Sequence, residues 1–121
     1  MSQHNELGKK GEDLAASFLS EKGWNILERN WRFRRNEIDI IAFDGSTLVF
    51  TEVKSRKNNL FGEPEEAVTL AKIKRLVLAA DHYIRQKGLS CEARFDVISV
   101  IGEQPPYQIK HFENAFLPPV F

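Results

Sequence analysis

An α/β sandwich with a mixed sheet is the fold this sequence predicts, on three observations. Two segments set apolar residues at helical spacing, and the runs between and after them are rich in β-branched and aromatic residues. The order is helix, three strands, helix, then one or two strands, so strands from both sides of the second helix must share one sheet. The chain has 121 residues and 42% hydrophobic content, enough for one core, and residues 1–121 are expected to form a single domain.

The first helix lies in NELGKKGEDLAASFLSEKG, where Leu7, Gly11, Leu14, Ala15, Phe18 and Leu19 recur at helical spacing and Gly23 is placed to end it. Gly8 and Gly11 each cost about 1 kcal/mol against alanine inside a helix, so they are expected to permit a close backbone approach. WNILERNWRF then reads as a strand with an irregular, arginine-rich end. EIDIIAFDGSTLVFTEVKSR follows as a hairpin with Asp44-Gly45 as its turn signal. GEPEEAVTLAKIKRLVLAADHYIRQKG is helical, with Pro64 and acids near its start and Gly88 just past its end. Ala67, Val68, Ala71, Leu76, Ala80 and Ile84 supply its apolar face, and Thr69 is placed to separate a short first turn from a longer helix. ARFDVISVI is a continuous β-rich run, as in a buried strand. PPYQIKHF, after a Pro-Pro break, reads as a last edge strand.

Seventeen basic residues balance seventeen acidic ones, so net charge neither predicts nor excludes a nucleic-acid partner. The distribution is more informative. Between residues 29 and 57 lie seven Lys or Arg against four acids. If those acids hold a cation, the surface around them becomes strongly positive and suits a polyanion; a solvated charged face is the plainer alternative. Cys91 is the only cysteine, which excludes an intrachain disulfide and a cysteine zinc site, and a buried inert thiol is expected. The N-terminal MSQHNELGKKGED has no apolar run of signal-peptide type, and no stretch approaches transmembrane length. A soluble cytoplasmic protein with no membrane partner is the expectation.

The hairpin carries the chemistry. With a turn over residues 44–47, Phe43 faces Leu48, and antiparallel pairing then sets Ile41 against Phe50, Asp39 against Glu52 and Glu37 against Lys54. Side chains alternate along a strand, so these pairs share one face, and directly opposed Cβ atoms lie roughly 4.5–5.5 Å apart. Two carboxylates at that separation repel unless one is protonated or a cation lies between them. A hard divalent ion, Mg²⁺ or Mn²⁺, fits such an oxygen pair. Lys54, two residues beyond Glu52, projects to the same side, where it could activate water or stabilise charge developing on a phosphoryl group. The same residues on an exposed strand commonly form nothing more than cross-strand ion pairs. Against that stands the acid Asp39 opposite Glu52, where an ion-pair arrangement calls for a base.

Asp39 followed by Glu52-Val53-Lys54 after an apolar strand resembles the PD-(D/E)xK nuclease superfamily. Gly8-x-x-Gly11-Glu12, Asn30 with the arginines after it, Glu37-Ile38-Asp39, Glu52-Val53-Lys54-x-Arg56, Arg94-Phe95-Asp96 and the closing HFENAF together resemble the UPF0102 (YraN-like) family, from Gly8 to about Phe116. The resemblance implies a restriction-endonuclease-like mixed β-sheet flanked by α-helices, similar to archaeal Holliday junction resolvases. It implies a metal site of Asp39 and Glu52 with Glu12 assisting, and Lys54 as the fourth catalytic residue. It departs from the family's usual pattern at Asn36, in place of glycine, and mildly at Thr51. Junction-cutting relatives act as dimers, which leaves a homodimer open here.

Arg32, Arg34 and Arg35 are candidates for gripping phosphates, with Trp31 and Phe33 expected in the core rather than stacking on bases. Arg56 and Lys57 adjoin the hairpin site and are candidates of the same kind. Lys72, Lys74 and Arg75 fit either an extended basic surface or a solvated helix side. His4, His82 and His111 show no metal-ligand spacing and are expected in surface or capping roles. Asp96 either pairs with a base such as Arg94 or borders the site. The function expected is metal-dependent hydrolysis of DNA phosphodiester bonds, branched DNA included. Its rivals are a non-catalytic nucleic-acid-binding module and an adaptor docking through the apolar C-terminus NAFLPPVF.

Overall fold

A computed structural model describes residues 6–57 and 69–115, with only the backbone described at Glu6 and Leu7. Seven elements follow one another: α1 (Glu6–Glu21), β1 (Asn25–Phe33), β2 (Asn36–Phe43), β3 (Thr47–Arg56), α2 (Leu70–Lys87), β4 (Glu92–Ile101) and β5 (Gln108–Phe112). The five strands form one sheet in sequence order. β1, β2 and β3 are antiparallel neighbours, β3 and β4 run parallel, and β5 closes the far edge antiparallel to β4. The mixed sheet and the element order are as the sequence predicts.

The two helices cover opposite faces, because the strands sort their apolar residues between them. Ala15 and Leu19 of α1 pack with Ile40, Ala42, Ile98 and Val100. Leu76, Ala79, Ala80 and Tyr83 of α2 pack with Ile38, Ile41, Leu48, Phe50 and Phe95. Trp31 and Phe33 join the α2-side core, in line with their expected burial. Cys91 lies half-buried against that same core, less enclosed than expected.

Turn chemistry sets the strand register. Asp44 accepts the backbone N–H groups of Ser46 (2.9 Å) and Thr47 (2.7 Å), and Gly45 takes φ 107°. That fixes Phe43↔Leu48, Ala42↔Val49, Ile41↔Phe50 and Ile40↔Thr51, the register the turn signal predicts. Gly23 and Gly88 end the two helices with positive φ. Thr69 differs from expectation: it is the N-cap of α2, its hydroxyl accepting the Lys72 N–H at 3.2 Å. Pro64, Ala67 and Val68 lie outside the described residues, and Ala71 is exposed rather than part of the apolar face. Gly11 is buried where α1 crosses β3, and a Cβ there would collide with the Ser55 side chain. Among the described residues no helix is long and apolar enough to cross a membrane.

Candidate active site

The paired part of the β2–β3 ladder ends at Ile40↔Thr51, one step before Asp39 and Glu52. Past that point a side chain takes over from the ladder, since Asp39 Oδ2 accepts the Val53 N–H at 2.8 Å. The pairing of β2 with β1 is interrupted at the same level. Asn30, with φ 52°, falls between Arg29↔Ile40 and Trp31↔Ile38, opposite Asp39. Asn tolerates this left-handed backbone better than most residues. The result shows in the cores: Ile38 and Ile41 both pack toward α2 while Ile40 packs toward α1, so strict alternation fails at Asp39. The expectation that Glu37 shares a face with Asp39, Glu52 and Lys54 by simple alternation is corrected accordingly, while Asp39 keeps its approach to Glu52. Interrupted on both sides, Asp39 sits where groups from both faces reach it.

From the α1 side comes Glu12, buried at 5% exposure. Ligand oxygens of Glu12, Glu37 and Asp39 lie within 4.8 Å of one another. Asn30 ties two of them, its Nδ2 donating to Glu12 (2.9 and 3.0 Å) and to Glu37 (2.9 Å). Arg32 donates to Glu37 at 2.8 Å, and Arg29 lies 3.6 Å from Glu12. Glu37 therefore joins Glu12 and Asp39 instead of standing opposite Lys54. That role is not legible in the hairpin alone.

From the α2 side come Glu52 and Lys54, on the face of β3 that carries Leu48 and Phe50. An open cleft of about 280 Å³ lies here, lined by Arg35, Asn36, Glu37, Asp39, Glu52, Lys72, Arg75 and Leu76. Lys72 reaches Glu52 Oε1 at 2.8 Å from the first turn of α2. Among the basic residues of the second helix, only its place in the first turn after the Thr69 cap sets it apart.

The electrostatics of the cluster are strained. Burial and then the charge of Glu52, with Glu12 and Glu37 adding, push the Asp39 carboxyl from 3.8 up to about 8 against the Val53 hydrogen bond. Lys54 is lowered, first by burial and then by Lys72, with Glu52 and Asp39 opposing. Burial would lower Lys72 too, but the Glu52 charge and hydrogen bonds outweigh it and hold that ammonium charged. The two lysines thus divide, one losing its proton more readily and the other keeping it.

The basic candidates are spread more widely. Arg35 lines the cleft, while Arg32 is committed to Glu37. Arg34, also at positive φ (58°), lies over the Phe33 ring at 5.0 Å, and Phe33 in turn stacks on His82 at 4.0 Å. Arg56 ends β3 and Lys57 is exposed beyond it, neither among the described residues lining the cleft. Asp96 takes the first of its two expected roles: Arg94 donates to it at 2.9 and 3.0 Å. His111 contradicts its expected surface role. Its side chain is 4% exposed, contacting Asp96 Oδ2 at 2.7 Å and Lys22 Nζ at 2.8 Å.

Comparison with known proteins gives the family and the fold. The model of the uncharacterised protein family UPF0102 matches residues 11–100. Among similar sequences, a UPF0102 protein of Bacteroides thetaiotaomicron is 50% identical and one of Phocaeicola vulgatus 46% identical, each over the whole of both chains. A UPF0102 protein of Rhodococcus jostii is 46% identical over 96% of this chain and all of its own. Among solved structures, Hjc of Archaeoglobus fulgidus, a Holliday junction resolvase, superposes with TM-score 0.54 at 21% identity, over 88% of this chain and 77% of that one. That likeness establishes the restriction-endonuclease-like fold.

Proposed function

This chain belongs to the UPF0102 family, and we propose that it is a metal-dependent endonuclease-like protein hydrolysing DNA phosphodiester bonds, branched DNA among its substrates. One observation carries the reading: Asp39 stands between Glu12 and Glu37 on one side and Glu52 on the other, at a cleft rimmed by Arg35, Lys72 and Arg75. The resolvase-like fold supports it, although fold alone does not fix activity.

The donor set fits a hard divalent ion. It consists of carboxylates: oxygens of Glu12, Glu37 and Asp39 lie close enough to share one ion, Glu52 acts on Asp39 through its charge, and the mutual repulsion is what a cation relieves. Asp39, Glu52 and Glu12 are the residues proposed to hold Mg²⁺ or Mn²⁺; Glu37 groups with Glu12 and Asp39 as a further oxygen donor, while Glu52 lies outside that group, paired with Lys72. Such an ion, when bound, polarises the phosphoryl oxygen and acidifies water. The chain's own contribution is electrostatic and positional. Lys54, half-buried beside Glu52 and with its proton held less tightly than usual, is suited to take a proton from water at the edge of the cleft. Arg35 at the cleft supplies positive charge for the phosphate backbone, and Arg32, Arg34, Arg56 and Lys57, outside the cleft, are proposed to extend it. DNA is accordingly the proposed partner, and the cytoplasm the proposed compartment.

The test is incubation of pure protein with branched, nicked and single-stranded DNA plus Mg²⁺ or Mn²⁺. Wild type is expected to cleave, and Glu52→Ala and Lys54→Ala each to lose roughly a hundredfold or more. Cleavage undiminished in both variants would assign the activity to a contaminant. A second reading, a non-catalytic nucleic-acid-binding module, is favoured by the Lys72–Glu52 ion pair, which already satisfies one acid. It predicts salt-sensitive DNA binding with no turnover in either metal.

A further inference from the structure

Lys72 occupies a position that helix physics argues against. Thr69 caps α2, so Leu70, Ala71 and Lys72 are its first three helical residues, where the unpaired N–H groups and the helix dipole favour acids. After a threonine cap, the third position is the usual place for Glu or Gln reaching back to the cap. Here it is a lysine, and the first turn holds no acid at all. The ammonium does not point to bulk solvent either. It is 32% exposed and sits 2.8 Å from Glu52 Oε1, a carboxylate only 7% exposed. Lys72 and Arg75, three apart on the helix and so on one side of it, both line the cleft. A lysine placed against its helix and aimed at the acid of a candidate metal site calls for an explanation within that site.

We propose that Lys72 is the resident counter-ion of this site: its ammonium holds Glu52 until a divalent ion enters, and on yielding Glu52 it becomes a phosphate contact in the same cleft. The inference rests on the metal reading above and adds to it a residue that competes with the ion. Coulomb's law gives the direction, because an ammonium within ion-pair distance of a ligand oxygen disfavours a second cation there. Once released, the flexible lysine stem lets the charge serve the bound polyanion beside Arg75. Competition ahead of the ion and attraction behind it make opposite predictions for one substitution, which a purely structural lysine would not.

Calorimetric titration of Mn²⁺ into wild type, Lys72→Met and Lys72→Arg, each checked for folding by circular dichroism, tests the first half. Methionine keeps the apolar stem and removes the charge, so Lys72→Met is expected to bind Mn²⁺ roughly five- to tenfold more tightly. Lys72→Arg is expected to stay near wild type. Equal or weaker Mn²⁺ binding by Lys72→Met, with wild type still binding, overturns this inference and leaves the metal reading standing. Absence of Mn²⁺ binding in all three proteins overturns the metal reading as well. Binding by Lys72→Met alone supports both. Fluorescence anisotropy with a labelled four-way DNA junction in Ca²⁺ tests the second half. Lys72→Met is expected to lose several-fold in affinity and Lys72→Arg to retain it, and unchanged binding by Lys72→Met removes the phosphate role.

Discussion

Asp39 on β2 and Asp96 on β4 are the same side chain, set into the same sheet, and burial works to raise both. What surrounds them differs. Asp96 is fully buried yet receives hydrogen bonds from Arg94 at 2.9 and 3.0 Å, from Asn114 N–H at 2.9 Å and from His111 at 2.7 Å. Those donors outweigh burial and hold its carboxyl below the ordinary range. Asp39 receives the Val53 N–H and faces three other acids, and is driven to about 8. Burial is common to the two, so partners decide the sign. A carboxylate provided with donors ties the fold together, here joining β4, β5 and, through His111 and Lys22, the C-terminal end of α1. A carboxylate crowded by acids stores electrostatic strain, the condition expected where charge is to be bound or moved.

The largest test of that contrast is Asp96→Ala. It leaves the Arg94 guanidinium and His111 without their common acceptor, and is expected to cost about 3–5 kcal/mol in urea unfolding at pH 7. A loss under about 1 kcal/mol would mean that the Asp96 network is ornamental. Next is Gly11→Ala, whose Cβ would meet the Ser55 hydroxyl and Cβ so that either Ser55 or α1, with Glu12 on it, must shift, at roughly 1–3 kcal/mol. Its effect is expected to shrink in a Ser55→Gly background, since the clash is with that side chain.

Asp39→Asn is expected to act in the opposite direction from Asp96→Ala. The folded carboxyl holds its proton to about pH 8, whereas the unfolded one releases it near 3.8. Between those values the folded state binds the extra proton, so metal-free stability falls as pH rises through the window and levels off above it. The amide oxygen introduced by Asp39→Asn can still accept the Val53 N–H, so the variant is expected to be more stable than wild type at about pH 8–9, by at least about 1 kcal/mol, with less dependence on pH. Metal binding runs the other way: Mn²⁺ must displace the Asp39 proton, so affinity is expected to fall by up to about tenfold per pH unit below about 8. Titrations at several pH values check this. Smallest is Arg32→Ala, a partly exposed partner of Glu37, expected within about 0.5 kcal/mol of wild type.

How far the sequence anticipates this contrast depends on how local the cause is. The Asp44-Gly45 turn is decided within four residues, so the β2–β3 register can be read directly, and with it the approach of Asp39 to Glu52. Glu12 reaches the site only through a family resemblance, because helix spacing says nothing of which strand a helix face meets. The failure of alternation at Asp39 depends on Asn30 taking a left-handed backbone opposite it, an event on another strand. Simple alternation misplaces Glu37 for that reason. Lys72 leaves one local signal, a base where a capped helix wants an acid, which carries weight only once the cap is assigned to Thr69. His111 leaves none, for its burial is made by Phe18, Trp24 and Asp96 from distant parts of the chain.

Glu12 has Arg29, Glu37 has Arg32 and Glu52 has Lys72, each within 4.0 Å. The outer acids thus come with cations supplied by the chain itself. A chelator is therefore expected to silence such a site and to lower the melting temperature only by as much as the bound ion had added, with the fold kept by the chain's own cations. Metal supply would then govern when the protein works more than whether it survives.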